Sequence, residues 1–303
     1  MAVRELARFG VPWPMMLITL FLAWTANINH SPVQFCELFC GVGEQTLALQ
    51  KLGLTGHAHD IDKGNSHICI ASTRAHMCQS CTSHSKRMLL FHVIVIHCFI
   101  CKRICCAGKS EFDFCGTSGF ALATNSVLRL LPNGLCPIGV VCSSWVFLSR
   151  SSTKRHYVYP QGDDSSSTVA NANVMNARVA LLLLILVARG CTPLLEQPVS
   201  SLFVRYPRMV HVCRKLHSLS VPLYQQIIHL GAFGQSTQNS VHVYSTNKAL
   251  LRQLWKPISA SDRCRLRRAS AHQLLVTKTI CKANGKTQVT GKKAALKRSQ
   301  SSA

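Results

Sequence analysis

Acidic residues are scarce in this chain. Only 11 Asp and Glu stand against 34 Lys and Arg, so the formal net charge is +23 at pH 7. Such an imbalance favours polyanions or anionic surfaces as partners. The basic residues concentrate at the end: from Arg252 onward there are 13 Lys and Arg and one acid, Asp262. A solvated basic tail is the alternative interpretation of that segment.

Long apolar runs are also lacking. The run from Met15 to Trp24 has ten residues, and the run A-L-L-L-L-I-L-V-A inside 173–189 has nine. A transmembrane helix needs about 20 apolar residues, so we interpret the second run as a core helix. Three interpretations of residues 1–33 stay open: a targeting peptide, a membrane-surface anchor with contact through 11–25, or a helix that packs on the domain.

Sixteen cysteines are spread along 303 residues. This length and scatter are not those of a small secreted disulfide scaffold, so a reducing compartment is favoured. We therefore expect a nuclear or cytoplasmic monomer, with N-terminal targeting as the alternative.

The stretch 34–62 combines a short apolar strand, a glycine turn, a helix and a second strand that ends in an acid. Gly41 and Gly43 allow a tight turn close to a ligand, and the following helix offers free N–H groups at its start. Asp60, about 20 residues on, suits the hydroxyls of a ribose. The pattern predicts a nucleotide-type cofactor site, and a plain buried strand–turn–helix is the alternative.

A third glycine, which a dinucleotide-binding fingerprint requires, is missing, because Thr46 stands at that position. The motif E-L-F-C-G-V-G at 37–43 instead resembles the first motif of class I S-adenosylmethionine-dependent methyltransferases. It is most similar to the Phe-x-Gly-x-Gly form of the cytosine-5 DNA methyltransferases. The resemblance implies S-adenosylmethionine as cofactor. It would be held by Phe39, Gly41, Gly43 and Asp60, with Asp62 as the fallback for Asp60.

Two further motifs carry the resemblance. Cys142-Ser143-Ser144-Trp145 looks like the motif that supplies the attacking thiolate, and Glu196-Gln197-Pro198 looks like the motif whose acid holds the base edge. The resemblance therefore implies Cys142 as nucleophile and Glu196 as the orienting acid. A buried apolar thiol and a surface acid at a strand end are the alternatives.

Five residues are candidates for substrate binding. The loop S-R-S-S-T-K-R at 149–155 could hold a phosphate or carboxylate through its cations and hydroxyls, and a solvated loop is the alternative. Trp145, the last residue of the Cys142 motif, could stack a base or an adenine ring, or equally belong to the core. Arg178 resembles the arginine of the helix between the two catalytic motifs. The candidates are Trp145, Arg150, Lys154, Arg155 and Arg178.

Residues 64–109 differ in composition from both flanks and hold seven of the 16 cysteines. We interpret this segment as an insertion foreign to the fold, because the resemblance stops before it and resumes at E-F-D-F, 111–114. A four-cysteine zinc site is the alternative, since two C-x-x-C pairs lie sixteen residues apart. Its ligands would be Cys78, Cys81, Cys98 and Cys101.

Strands alternate with helices along the chain, which predicts an α/β fold. We expect a doubly wound, mostly parallel Rossmann-like sheet with strands at 34–39, 55–60, 137–142 and 192–196. An antiparallel strand pair should close it, and a basic C-terminal extension should follow, with at most two short strands after residue 246. The pattern over 119–131 predicts a helix that is stopped by Pro132-Asn133-Gly134. The expected organisation is a leader at 1–33, a methyltransferase-like domain at 34–250 and a tail at 251–303.

Two classes of function follow. The first is an S-adenosylmethionine-dependent methyltransferase acting on nucleic acid. The second is a catalytically inactive Rossmann-like domain that binds nucleic acid through its basic tail.

Overall fold

The computed structural model describes residues 2–29, 32–39, 44–59, 113–235, 239–271, 276–280 and 287–291. The predicted insertion at 64–109 and the four candidate zinc cysteines lie outside the described residues. So do Gly41, Gly43, Asp60 and Asp62.

The described residues form eight helices of seven residues or more, a four-residue helix at Arg150–Thr153 and eight strands. The helices are α1 Ala2–Arg8, α2 Trp13–Asn29, α3 Glu44–Lys51, α4 Thr117–Leu128, α5 Ser167–Ala188, α6 Pro207–Ser218, α7 Lys248–Leu254 and α8 Ala260–Ala271. The strands are β1 Val33–Leu38, β2 Gly56–His59, β3 Leu130–Ile138, β4 Thr192–Pro198, β5 Tyr224–His229, β6 Ser240–Ser245, β7 Val276–Ile280 and β8 Thr287–Gly291.

The main sheet is open and mixed, with the strand order β2-β1-β3-β4-β6-β5. β1 pairs in parallel with β2 and with β3, and β3 pairs in parallel with β4. β6 is antiparallel to β4. The predicted α/β class is confirmed, and the strands predicted at 34–39, 55–60 and 192–196 form within one parallel part of the sheet, with β1 between β2 and β3. The strand predicted at 137–142 is wrong in its bounds, because β3 spans Leu130–Ile138.

The centre of the sheet is covered on both faces. Residues 35–38 of β1 are all buried, although successive side chains of a strand point to opposite faces. Residues 193–195 of β4 are likewise all buried. Burial on both faces is typical of parallel sheets with flanking helices.

The end of the helix predicted before β3 is also wrong. The helix expected over 119–131 ends at Leu128, and the triplet Pro132-Asn133-Gly134, expected to stop it, lies inside β3. The pairing register with β1 shifts there, and Asn133 has φ 64°. A Cβ on Gly134 would approach the Gln34 carbonyl oxygen at 3.0 Å. The triplet therefore forms an irregular, bulge-like step in the strand, where close approach to β1 favours glycine.

The N-terminal helices pack on the rest of the fold. α1 contacts α5, and α2 contacts α4. Leu6 is fully buried, Phe9 is 4% exposed, and the Asn125 amide donates to the Leu22 carbonyl oxygen at 3.5 Å. Of the three interpretations of this region, the structure supports a helix that packs on the domain. The other face of α2 is exposed at Trp13, Leu17, Ile18, Leu20 and Phe21, and its contact with a membrane stays a prediction.

By length and composition alone, α5 could cross a membrane. Its apolar side chains nevertheless belong to the core, because Val179, Leu182, Leu183 and Leu186 are fully buried. The helix therefore acts as a core element between α4 and α6, both of which it contacts.

The basic C-terminal segment contains more regular structure than expected. Two compact units divide the chain, and the second comprises 229–239 and 257–303. In that unit Arg265 of α8 donates hydrogen bonds to the carbonyl oxygens of Gly231, Gly234 and Gln235. β7 and β8 form a separate antiparallel pair. The expectation of at most two short strands after residue 246 is thus wrong, since two helices also form there.

Replacing Leu6 with alanine tests the packing of α1. Because Leu6 is fully buried, the loss of its methyl groups should lower the free energy of unfolding by about 2–5 kcal/mol in urea titrations followed by circular dichroism.

The control is Leu17→Ala on the exposed face of α2, where Leu17 is 45% exposed. This change should stay within about 0.5 kcal/mol of wild type. Equal effects of the two substitutions would contradict the packing of α1.

Candidate functional site

The carboxyl ends of β1, β3 and β4 meet at one edge of the sheet, because the three strands are parallel. The strand order reverses here: the chain leaves β1 for β2 on one side and returns to β3 on the other. Open α/β sheets bind ligands at such a reversal, outside the carboxyl ends of the strands. We therefore take this edge as the candidate functional site.

The turn between β1 and α3 is braced from both sides. Glu37, at the end of β1, is 1% exposed, and its Oε2 accepts hydrogen bonds from the Thr46 backbone N–H at 2.7 Å and the Thr46 hydroxyl at 2.6 Å. Thr46, which stands in place of the third fingerprint glycine, thus uses its side chain to tie the start of α3 to β1. A charge-assisted hydrogen bond of this kind is stronger than a neutral one.

Phe39 begins this turn in a left-handed conformation, with φ 64°. Such a φ is unusual for a bulky residue and persists only where the surroundings enforce it. The ring is buried and meets Phe114 edge to face, with ring centroids 4.9 Å apart. Phe39 therefore ends the extended conformation of β1, while the other predicted cofactor residues lie outside the described residues.

Cys142 does not lie at the end of a strand as expected. β3 ends at Ile138, and Cys142 lies in the following turn, where its carbonyl oxygen accepts hydrogen bonds from the N–H groups of Trp145 and Val146 at 2.9 and 3.2 Å. The side chain is half-buried. The turn starts close to β1, since the Gly139 N–H donates to the Leu38 carbonyl oxygen at 3.3 Å.

Glu196 lies on the strand next to the Cys142 turn. Leu195 pairs with Ile138 of β3, so Glu196 follows directly beyond the last paired position. Its side chain is half-buried. Cys142 lies four residues beyond the end of β3, and Glu196 lies within β4, where it pairs with Val243 of β6. The two residues thus belong to neighbouring segments at the same edge, although neither ends a strand.

Gln197 is a functional-site residue that the sequence analysis did not single out. It is 1% exposed, its Nε2 donates to the Val140 carbonyl oxygen at 3.0 Å, and its Oε1 accepts from the Ser201 hydroxyl at 2.8 Å. The amide therefore joins the segment that follows β3 to the segment that follows β4. Its place beside Glu196 in the motif Glu196-Gln197-Pro198 was the available signal.

Arg155 and Trp145 form a buried pair. Both are at most 1% exposed, and the Arg155 guanidinium carbon lies 3.6 Å from the centre of the Trp145 ring. The guanidinium donates hydrogen bonds to the Ser144 hydroxyl and to the carbonyl oxygens of Pro160, Gln161 and Val169. Burial lowers the pKa of Arg155 to about 10, so the group is still charged at neutral pH.

This pair gives the loop after β3 a fixed shape. Gly162 has φ 67°, and a Cβ there would meet Arg155 Cγ at 2.7 Å, so the loop packs tightly on the aliphatic part of the Arg155 side chain. The four hydrogen bonds that Arg155 donates all end on acceptors of the protein itself. Substrate binding through Trp145 or Arg155 would require this cluster to open.

The other predicted substrate residues differ in exposure. Arg178 donates to the carbonyl oxygens of Phe114 and Gly116 at 2.6 and 2.5 Å, which positions the segment before α4. Arg150 donates to the Ser200 carbonyl oxygen at 3.2 Å and is half-buried. Lys154 is exposed and has φ 58°. Arg150 and Lys154 thus remain accessible to a ligand at this edge.

Metal binding finds no support in the described part of the chain, where no group of three or more His, Cys, Asp or Glu could hold an ion.

No protein-family model matches the chain, and no curated protein matches it significantly. The function is therefore inferred from the residues and their geometry.

Replacing Arg155 with lysine tests the buried pair. Lysine keeps the charge but loses the planar fork, so several carbonyl oxygens would lose their donor. We expect the free energy of unfolding to fall by about 2–4 kcal/mol in urea titrations.

The matched control is Arg208→Lys at an exposed position of α6, which should change stability by less than about 0.5 kcal/mol. If both variants unfold at the wild-type urea concentration, the buried cation does not hold the loop.

Proposed function

We propose that this protein is an S-adenosylmethionine-dependent methyltransferase that acts on nucleic acid and resembles the cytosine-5 DNA methyltransferases. The observation that carries the proposal is the braced turn after β1, located where the strand order reverses. A doubly wound, Rossmann-like sheet is the fold that the proposal requires, with antiparallel β6 near the closing edge.

The described part of the turn fits such a cofactor. Glu37 and Thr46 tie its two ends together, and Phe39 begins it with a left-handed backbone conformation. Between these ends the sequence has Gly41 and Gly43, which leave room for a ligand beside the backbone. Phe39 and the two glycines would hold the methionine side, and Asp60 or Asp62 the ribose.

Bound there, S-adenosylmethionine would supply an activated methyl group. The chain's own contribution would come from the next two strands. Cys142 would act as the nucleophile toward the base ring, and Glu196 would hold the base edge. Gln197 would keep their two segments in register through its hydrogen bond to Val140.

Nucleic acid is the proposed substrate class because of the charge. The chain carries +23 overall, and Arg150 and Lys154 lie in the loop that follows the Cys142 turn. Cations at the mouth of a site favour a phosphate-bearing substrate.

Calorimetric titration of the full chain with S-adenosylmethionine tests the cofactor. Asp60→Ala removes a charge-assisted hydrogen bond worth on the order of 1.5–3 kcal/mol, so affinity should fall by roughly ten- to a hundredfold. Gly43→Val places a side chain in the ligand's space and should abolish binding.

Asp164→Ala serves as the matched control, because it makes the same change at an exposed aspartate outside the cofactor turn. If the wild-type protein does not bind S-adenosylmethionine, or if both site variants bind it as tightly as wild type does, the turn has a structural role only.

A second candidate is an inactive domain that binds nucleic acid through its C-terminal segment. In its favour, Arg263, Arg267 and Arg268 of α8 are exposed, whereas Arg265 is held by carbonyl groups of its own unit. Of the four arginines of α8, the exposed three are therefore available to phosphates.

Neutralising these three arginines to glutamine tests the second candidate. Each lost phosphate contact should reduce the slope of log affinity against log salt by about one. The slope should therefore fall by up to about three in nucleic-acid titrations at several salt concentrations. An unchanged slope would place the binding surface elsewhere in the protein.

A further inference from the structure

Cations and aromatic rings alternate along one exposed row at the carboxyl edge. The Arg150 guanidinium carbon lies 5.2 Å from the centre of the Phe147 ring and 4.9 Å from that of Tyr157. The Arg205 guanidinium carbon lies 4.7 Å from the centre of the same Tyr157 ring. We call Phe147, Arg150, Tyr157 and Arg205 the arginine–aromatic row.

The rings of this row are unusually exposed. Phe147 is 65% exposed and Tyr157 59%, although each offers a large apolar surface that folding would ordinarily bury. Their neighbours Leu148 and Val158 are exposed as well. A contiguous apolar patch of this kind marks an interaction surface.

The row is held in place by the loops beneath it. Phe147, Arg150 and Tyr157 come from the segment after β3, and Arg205 comes from the segment after β4. Arg150 donates to the Ser200 carbonyl oxygen, and the Leu202 N–H donates to the Trp145 carbonyl oxygen at 3.0 Å. The two segments are therefore tied together, and the row exists before any partner binds.

We propose that the arginine–aromatic row binds single-stranded nucleic acid. Flat aromatic faces stack on unpaired bases, and guanidinium groups beside them neutralise the adjoining phosphates. The partner must supply flat apolar faces and negative charge in alternation, as the row supplies rings and cations. The net charge of +23 favours the approach of such a polyanion.

A duplex fits this row less well. Its bases are already stacked on one another, so it would offer phosphates to Arg150 and Arg205 but no face to Tyr157 or Phe147. The aromatic members therefore predict a preference for single strands. This inference rests on the proposed function, because nucleic acid is the substrate class proposed there. It places the nucleic-acid contact at the carboxyl edge of the sheet and not in the C-terminal segment.

The test is fluorescence anisotropy of the full-length protein with a labelled 20-nucleotide single strand of mixed sequence and with the matching duplex. Wild type should bind the single strand more tightly. Tyr157→Ala should weaken single-strand binding by about tenfold, in the range of one lost stacking contact. Tyr157→Phe keeps the ring and should bind within about twofold of wild type.

Two variants that each remove one positive charge test the contribution of Arg205. Arg205→Gln should lower the salt slope by about one. Arg214→Gln, which removes the same charge from an exposed position of α6, should leave affinity for the single strand within about twofold. Circular dichroism establishes that each variant is folded.

The outcomes separate this inference from the proposed function. Loss of single-strand affinity in Tyr157→Ala but not in Tyr157→Phe supports the row, whether or not S-adenosylmethionine binds. Equal affinity of Tyr157→Ala and wild type, or a wild-type preference for duplex, overturns it even if the cofactor titration succeeds.

Discussion

The cost of burying polar groups is the constraint on which the carboxyl edge of this sheet depends. A buried polar group or charge without a partner costs from about 1 to several kcal/mol, so pairing inside the protein stabilises the fold. Glu37 is paired with both donors of Thr46, Gln197 with Val140 and Ser201, and Arg155 with four acceptors. Each pairing joins two segments that are distant along the chain or separated by a turn.

These pairings determine what the edge can present to a ligand. Glu37 fixes the entry of α3, Gln197 fixes the spacing of the segments after β3 and β4, and Arg155 fixes the loop over Trp145. With the buried cation committed to the loop, the accessible cations are those at the rim, Arg150 and Arg205 among them. The candidate cofactor turn and the candidate nucleic-acid surface thus lie at the same edge, the arrangement that transfer of a methyl group to a nucleic acid would need.

Part of this arrangement could be predicted from the sequence. The alternation of apolar strands with helices predicted the parallel strands, because that pattern depends on local periodicity. The triplet Pro132-Asn133-Gly134 was misinterpreted as a helix stop, since its place in β3 depends on close approach to Gln34 of another strand.

The role of Arg155 could not be predicted for a similar reason. An arginine in a polar loop is ordinarily solvated, and only the folded loop supplies Trp145 and the carbonyl oxygens that surround it. Two helices after residue 246 were missed because basic residues obscured them. Asn247 nevertheless caps α7 by accepting a hydrogen bond from the Leu250 N–H at 3.0 Å.

Hydrogen exchange of the full-length protein, with and without saturating S-adenosylmethionine, tests the central claim most directly. That claim is that the edge where the strand order reverses is the ligand site. The account predicts slower amide exchange in peptides covering 37–46 and 139–146, and unchanged exchange in peptides from α6, 207–218. Slower exchange confined to other segments, or no change at saturation, would contradict it.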